Sequence, residues 1–204
     1  MDLYLIRHGE TAYNRDGLGL GRADIPLTEH GQRQAAALGA RFATKPFDQI
    51  VVSPLQRAGA TAAALAGAGV PLTVDADLTE MDVGETEGMS FAAMRERFPE
   101  FLGQWATGED AGLAMPGGES LNDVVSRVRR TLSRLEGFEG KTVAVVSHNF
   151  VLRLMLCELL AMPAASFRSF GSDLAGVSHL SKRRGRVYVH TINDRCHLDH
   201  LLEH

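Results

Sequence analysis

Cysteine is nearly missing from this chain: Cys157 and Cys196 are the two among 204 residues. Two thiols that far apart suggest neither a disulfide framework nor a zinc site. Cys157, inside VLRLMLCELL, reads as a small buried hydrophobe. A reducing cytoplasm is the simplest setting for such usage. Long apolar runs are missing as well, and none approaches the roughly twenty residues that cross a bilayer. No basic stretch with an apolar core precedes the opening MDLYLIRHG, so neither a signal peptide nor a membrane partner is expected. A strong charge excess is also lacking. The formal net charge is −4, from 21 Lys and Arg against 25 Asp and Glu. That balance offers nothing to a nucleic-acid partner. Any anionic ligand must be held by local arginines against an unfavourable global field. Internal repeats, low-complexity tracts and linkers are absent, which predicts one domain over 1–204 with a sizeable core. The terminal Leu202, Glu203 and His204 read as an expression-vector scar, and His204 is given no role.

What is present is an alternation of strands and helices. DLYLIR (2–7), DQIVVS (48–53) and KTVAVVSH (141–148) are apolar nearly throughout, as strands covered on both faces are. LTEHGQRQAAALGARFA predicts a helix capped by Thr28. SPLQRAGATAAALAGAG predicts another, with Ser53 as cap and Pro54 as its first residue. SLNDVVSRVRRTLSRLEGF lines up Leu121, Val124, Val125, Val128, Leu132 and Leu135 on one face. HNFVLRLMLCELLAMP is apolar on most sides and stops before Pro163. GVSHLSKRRGRVYVHTI reads as a hairpin turning at Arg184–Gly185. The pattern predicts an α/β fold: a three-layer α/β/α sandwich on a mostly parallel sheet with an antiparallel edge. Residues 84–116 interrupt the alternation with two short helical pieces, a lid-like insertion of the kind that covers a site.

The stretch LIRHGETAYN (5–14) then poses a question. A buried strand ends in an arginine and a histidine, and in open α/β sheets ligands bind outside the carboxyl ends of strands. His148 ends another strand, and Arg57 falls in the first turn of the helix after the second, where anions are favoured. Arginines repel metal ions and suit a phosphoryl group. His8 is therefore expected to act as a nucleophile on phosphorus, kept neutral by nearby arginines. A backbone acceptor would hold one ring nitrogen, with Gly9 permitting the tight turn. Arg7, Arg57, His148 and Asn14 would spread the phosphoryl charge. A leaving oxygen needs a proton. Among Glu10, Glu80, Asp82 and Glu85, Glu80 is best placed, because VDADLTE reads as another strand end.

Those residues resemble the signature of the histidine phosphatase superfamily, in its phosphoglycerate mutase-like branch. DIPLTEHGQRQA, SPLQRAGATA, DLTEMDVGETEG, PGGES, VVSHN and INDRCHL follow in the same order, so the resemblance covers almost the whole chain. It implies that His8 is phosphorylated, that Arg7, Arg57 and His148 form the phosphate pocket, and that Glu80 is the proton donor. Asn14, Gly21 and Asn149 fall at substrate-contacting positions. It also implies no metal and no cofactor, a small phosphorylated partner, and many dimeric relatives. EMDVGETEGMS carries no basic residue until Arg95, unlike mutases, so water is the expected acceptor. The loop GLGLGRADIPLTEHG is similar to that of alpha-ribazole and broad-specificity phosphatases. Leu18 and Leu20 stand where those carry arginine and glutamine, which implies a less polar mouth.

Other readings are blander or compete. GLGLG is expected to be a flexible loop and SKRRGR a solvated turn. HLDHLLEH is expected to fray rather than bind metal. Phe101 and Trp105 fit either the pocket or the core of the insertion. A phosphoglycerate mutase, a non-enzymatic phospho-ligand sensor and a metallohydrolase are the alternative functions.

Overall fold

The computed structural model describes all residues except 68, 109 and 202–204, together with the side chain of residue 200. The expected tail scar therefore lies outside the described residues. Along the chain the elements are β1 (Asp2–Arg7), α1 (Ala12–Arg15), α2 (Glu29–Phe42), β2 (Gln49–Val52), α3 (Gln56–Ala66), β3 (Leu72–Val74), α4 (Phe91–Arg97), α5 (Pro99–Thr107), α6 (Leu121–Leu135), β4 (Thr142–Ser147), α7 (Asn149–Leu159), β5 (Val177–Arg183) and β6 (Arg186–Asp194).

They build one six-stranded sheet in the order β3-β2-β4-β1-β5-β6. The first four strands in that order run parallel, and β5 and β6 add the antiparallel edge, with the hairpin turning at Arg184–Gly185. Alternation along each strand divides the core in two, because successive side chains leave opposite faces. Leu3, Leu5, Val51, Val143 and Val145 pack under α6 and α7. Ile6, Ile50, Val52, Ala144 and Val146 pack under α2 and α3. These are the three expected layers.

The connections decide where a ligand can sit. The chain leaves β1 through α2 on one face, and leaves β4 through α7 on the other. β1 and β4 are neighbours in register, Arg7 beside Ser147. Their diverging exits open a crevice at the strand ends, the topological switch point of such sheets.

Local chemistry sets the helix starts. Thr28 caps α2 through Gly31 N, and Ser120 with Asp123 forms a capping box on α6. The expected cap of α3 is corrected: Leu55 is the N-cap and makes no side-chain bond. Pro54 and Leu55 form a bend before the helix, across which Leu55 N donates to Ser53 Oγ at 3.3 Å. The expected strand VDADLTE is also corrected. Only Val74 of it belongs to β3, and a turn of 3-10 helix over Ala76–Leu78 separates that strand from Glu80. Asp75 accepts from Asp77 N and starts this turn.

GLGLG is no loose loop, since Gly19 N donates to Met89 O and Gly88 N donates to Gly19 O. The insertion carries α4 and α5, as the two helical pieces predicted. The C-terminal stretch does not fray within the described residues: Cys196–Leu201 winds into a 3-10 helix and Leu198 is buried.

Candidate active site

His8 lies one residue beyond β1 and His148 one residue beyond β4, both buried, with ring centroids 5.1 Å apart. His8 Nδ1 sits 2.7 Å from the carbonyl of Gly9. A carbonyl only accepts, so Nδ1 carries the proton and Nε2 keeps its lone pair. Burial pushes the His8 imidazolium well below its ordinary range, and the cations of Arg7 and Arg57 push it further. Burial leads and the arginines follow, the reverse of the weight given them from sequence. Gly9 serves a different purpose from the expected tight turn. A Cβ there would lie 2.6 Å from Gly31 O, so the glycine allows the loop after β1 to touch the start of α2.

Arg57 is fully buried in the first turn of α3. Its Nε donates to His148 Nδ1 at 3.2 Å, its Nη1 to Ala23 O and its Nη2 to Gly21 O, each at 2.7 Å. His148 Nε2 then carries the proton and donates to Ser53 Oγ at 2.7 Å. His148, like His8, is held neutral by burial and by surrounding positive charge. Gly21 enters the site through its carbonyl, because its N–H is taken by Glu87 Oε1.

Arg7 donates from Nη1 to Ser172 O at 2.5 Å, while its buried Nε has no protein partner among the described residues. Desolvation pushes its guanidinium down to about 10, which leaves it cationic at neutral pH. An unpartnered buried donor is costly unless a ligand oxygen accepts from it.

Glu80 is buried, accepting from Met81 N at 2.8 Å and from Phe150 N, in the first turn of α7, at 3.3 Å. Burial raises its pKa. The two backbone donors and the charges of Arg7 and Arg57 oppose that shift without cancelling it. A carboxyl raised in this way can hold a proton and release it. Its segment is anchored by Arg127, which donates to Asp77 O and Thr79 O and pairs with Glu119.

The remaining expected residues, Asn14 and Asn149, are half-buried. Asn14 Oδ1 accepts from Thr11 N and Oγ1, and Asn14 lines a cavity of about 370 Å³ with Arg7. Asn149 is the first residue of α7. Glu10, whose role stayed open, accepts from Thr28 Oγ1 at the start of α2. Trp105 stacks on Phe101 and meets Phe150 edge-on. The insertion therefore packs on the core through these rings.

Sequence reasoning missed Ser53, Arg127 and Arg153. Ser53 carried a helix-cap signal that masked its contact with His148. The two arginines carried no signal beyond a charge on an apolar helix face.

One group of metal-ligand type appears among the described residues: Asp2, His179 and His190, with ligand atoms within 4.8 Å of one another. It lies at the opposite end of β1 from Arg7. The two imidazoles stack at 4.4 Å and 30°, so their in-plane lone pairs run side by side instead of converging on one point.

Residues 3–195 match the model of the histidine phosphatase superfamily, branch 1, and the chain belongs to that superfamily. It is 39% identical over 179 residues to a bifunctional protein of Mycobacterium tuberculosis. The match covers 86% of this chain and 49% of that protein, so the chain spans about half the length of the mycobacterial relatives it matches. It is 34% identical over 198 residues to phosphoserine phosphatase 1 of Hydrogenobacter thermophilus, covering 96% and 93% of the two chains. The solved alpha-ribazole phosphatase of Shigella flexneri superposes with a TM-score of 0.86 at 32% identity, covering 95% of this chain and 96% of that one. No helix among the described residues is long and apolar enough to cross a membrane.

Proposed function

We propose that residues 1–204 form a single phosphatase domain that hydrolyses a small phosphorylated metabolite through a phosphohistidine. One observation carries the reading. The bond from His8 Nδ1 to Gly9 O leaves an Nε2 lone pair on a neutral imidazole in the field of two guanidinium groups.

In the first step His8 Nε2 attacks phosphorus while the ester P–O bond breaks, and Glu80 gives its proton to the departing oxygen. Arg7 and Arg57 spread the charge of the three equatorial oxygens. In the second step a water attacks the phosphohistidine, the P–N bond breaks, and the Glu80 carboxylate takes the water's proton. Inorganic phosphate leaves and both side chains are restored. The chemistry calls for no metal, so a chelator is expected to leave turnover unchanged.

The similar proteins carry the names of different substrates, phosphoserine and alpha-ribazole phosphate. For this chain the half-buried Leu18 and Leu20 support an ester with an apolar part. Transfer to water rather than to a second substrate is supported by the scarcity of basic residues in the insertion, which holds Arg95 and an Arg97 paired with Glu85.

Quenching turnover of a phosphorus-labelled ester tests the reading. An acid-labile, base-stable adduct on His8, lost in His8→Ala, is expected. Normal hydrolysis with no label at that residue would overturn it.

A further inference from the structure

We infer that Asn193, far from the chemistry in sequence and inside the INDRCHL stretch, is the positioning residue that sets Arg7 for phosphoryl transfer. The inference rests on the reading that Arg7 holds the phosphoryl group.

The segment 171–176 runs alongside the end of β1 and is bonded to it three times. Arg7 N donates to Gly176 O at 3.1 Å, Ala175 N donates to His8 O at 3.1 Å, and Arg7 Nη1 donates to Ser172 O at 2.5 Å. The direction in which the guanidinium presents its unpartnered Nε is therefore set by where Ser172 O stands. Nothing regular holds this segment. It contains no helix or strand, and Ala175 has φ of 54°, in the left-handed region.

Asn193 grips it. Its Oδ1 accepts from Asp173 N at 2.7 Å, its Nδ2 donates to Asp173 Oδ2 at 2.9 Å, and its own N–H donates to Ser178 Oγ at 3.0 Å. The amide is packed so closely between Gly171 and Gly176 that a Cβ on either would collide with it. Asn193 itself sits at φ of 53°, a region that asparagine tolerates and most side chains do not. The register of β5 against β6 shifts beside it, and the irregularity turns this side chain onto the segment, as bulges near sites do. Arg153 Nε fixes the near end of the same segment by donating to Phe170 O at 2.7 Å.

Loss of the grip lets Ser172 O drift, and the Arg7 guanidinium with it. A displacement of about 1 Å at the reacting groups costs up to about a hundredfold in rate. Glycine keeps the left-handed backbone at no steric cost, so Asn193→Gly removes the grip alone. The test measures kcat/KM for p-nitrophenyl phosphate and inhibition by orthovanadate for Asn193→Gly, with and without Arg7→Ala. Vanadate binding and kcat/KM are expected to weaken about tenfold or more when Arg7 is present, and less than about twofold when Arg7 is already gone.

Equal losses in the two backgrounds, or unchanged vanadate binding, would overturn the inference and assign Asn193 to fold stability alone. Should Asn193→Gly fail to fold, Asn193→Asp serves in its place. It keeps the acceptor for Asp173 N and turns the donor into an oxygen facing Asp173, so the same dependence on Arg7 is expected. Failure of the underlying reading is distinguishable, because Arg7→Ala by itself would then leave turnover and vanadate binding intact.

Discussion

Arg57 Nε donates to His148 Nδ1 at 3.2 Å, and this one contact fixes which nitrogen of His148 carries the proton. A guanidinium never accepts, so Nδ1 must be the bare nitrogen and Nε2 the donor. Ser53, at the end of β2, takes that donor. Three neighbouring elements, the end of β2, the first turn of α3 and the end of β4, are thereby joined through one imidazole.

Arg57→Lys keeps the positive charge and discards the fork. An ammonium cannot serve His148, Ala23 O and Gly21 O together in the planar geometry observed. Loss of a preorganised donor set costs about a hundredfold to a thousandfold in turnover. A steady-state kcat/KM down by at least about a hundredfold is expected. A lysine enzyme within about threefold of the parent would show that charge alone suffices at this position.

The pH profile follows from two opposed shifts. His8 must be neutral to attack, and its pKa is depressed, so the acid limb of kcat/KM lies below the ordinary imidazole value of about 6.5. Glu80 must be protonated to donate, and its pKa is raised, so the alkaline limb lies above the ordinary carboxyl value of about 4.3. Glu80→Gln is expected to abolish the alkaline limb. It should also slow esters with poor leaving groups more than p-nitrophenyl phosphate, whose leaving oxygen needs no proton. An alkaline limb that survives would belong to another group.

Stability against pH carries the same signs. His8 and His148 are both depressed in the fold, so the unfolded chain binds more protons between their folded pKa values and about 6.5. Their contribution is present above that window and is lost as pH falls through it. Glu80 acts oppositely: its raised pKa favours the fold at low pH and loses that effect as pH rises through the folded value. Urea midpoints between pH 7 and 5 should therefore fall less steeply in His8→Asn than in the parent. Equal slopes would mean that His8 binds a proton in the fold as readily as in the unfolded chain.

Arg127→Met should unfold the protein more easily, because it loosens the segment that carries Glu80. Breaking a fully buried pair costs about 3–5 kcal/mol, and the cost here is smaller because Glu119 keeps Arg22. Here the loss leaves Glu119 short of a partner and frees Asp77 O and Thr79 O, the carbonyls just before Glu80. A lower urea midpoint at constant m-value is the expected readout, and an unchanged midpoint would show that the network adds nothing.

Gly31→Ala tests the contact between the loop after β1 and α2. Its Cβ would run into Glu10 O, within the backbone that leads out of His8. Overpacking of this kind costs about 1–3 kcal/mol. A fall in Tm together with lost kcat is expected, since the strain falls on the residues joined to His8. A Tm equal to the parent's would show that the loop yields freely.

Much of this could be read along the chain. The strands around LIRHG, QIVV and TVAVVSH are apolar for a reason local to each, burial on both faces, and so their positions follow from composition. The caps of Thr28 and Ser120 are equally local. Misreadings occurred where a distant partner outweighed a local preference. Ser53 sits two residues before the N-cap and accepts from both Leu55 N and His148, Val74 alone of VDADLTE lies in a strand, and Gly9 answers to Gly31 on α2. The C-terminal stretch was expected to fray because nothing nearby in sequence holds it. Its hold comes from Arg41 on α2, which pairs with Asp194 and hydrogen-bonds His197.

The residue types needed for phosphoryl transfer, and the strands that end in them, were fixed by the amino-acid order itself, because burial and helix starts are decided within a few neighbours. Which nitrogen of His148 holds its proton, which way the Glu80 pKa moves, and which loop aims Arg7 belong to the folded chain. Those properties depend on carbonyls, charges and solvent exclusion supplied by segments 70 to 165 residues apart, and only packing brings them within hydrogen-bonding distance.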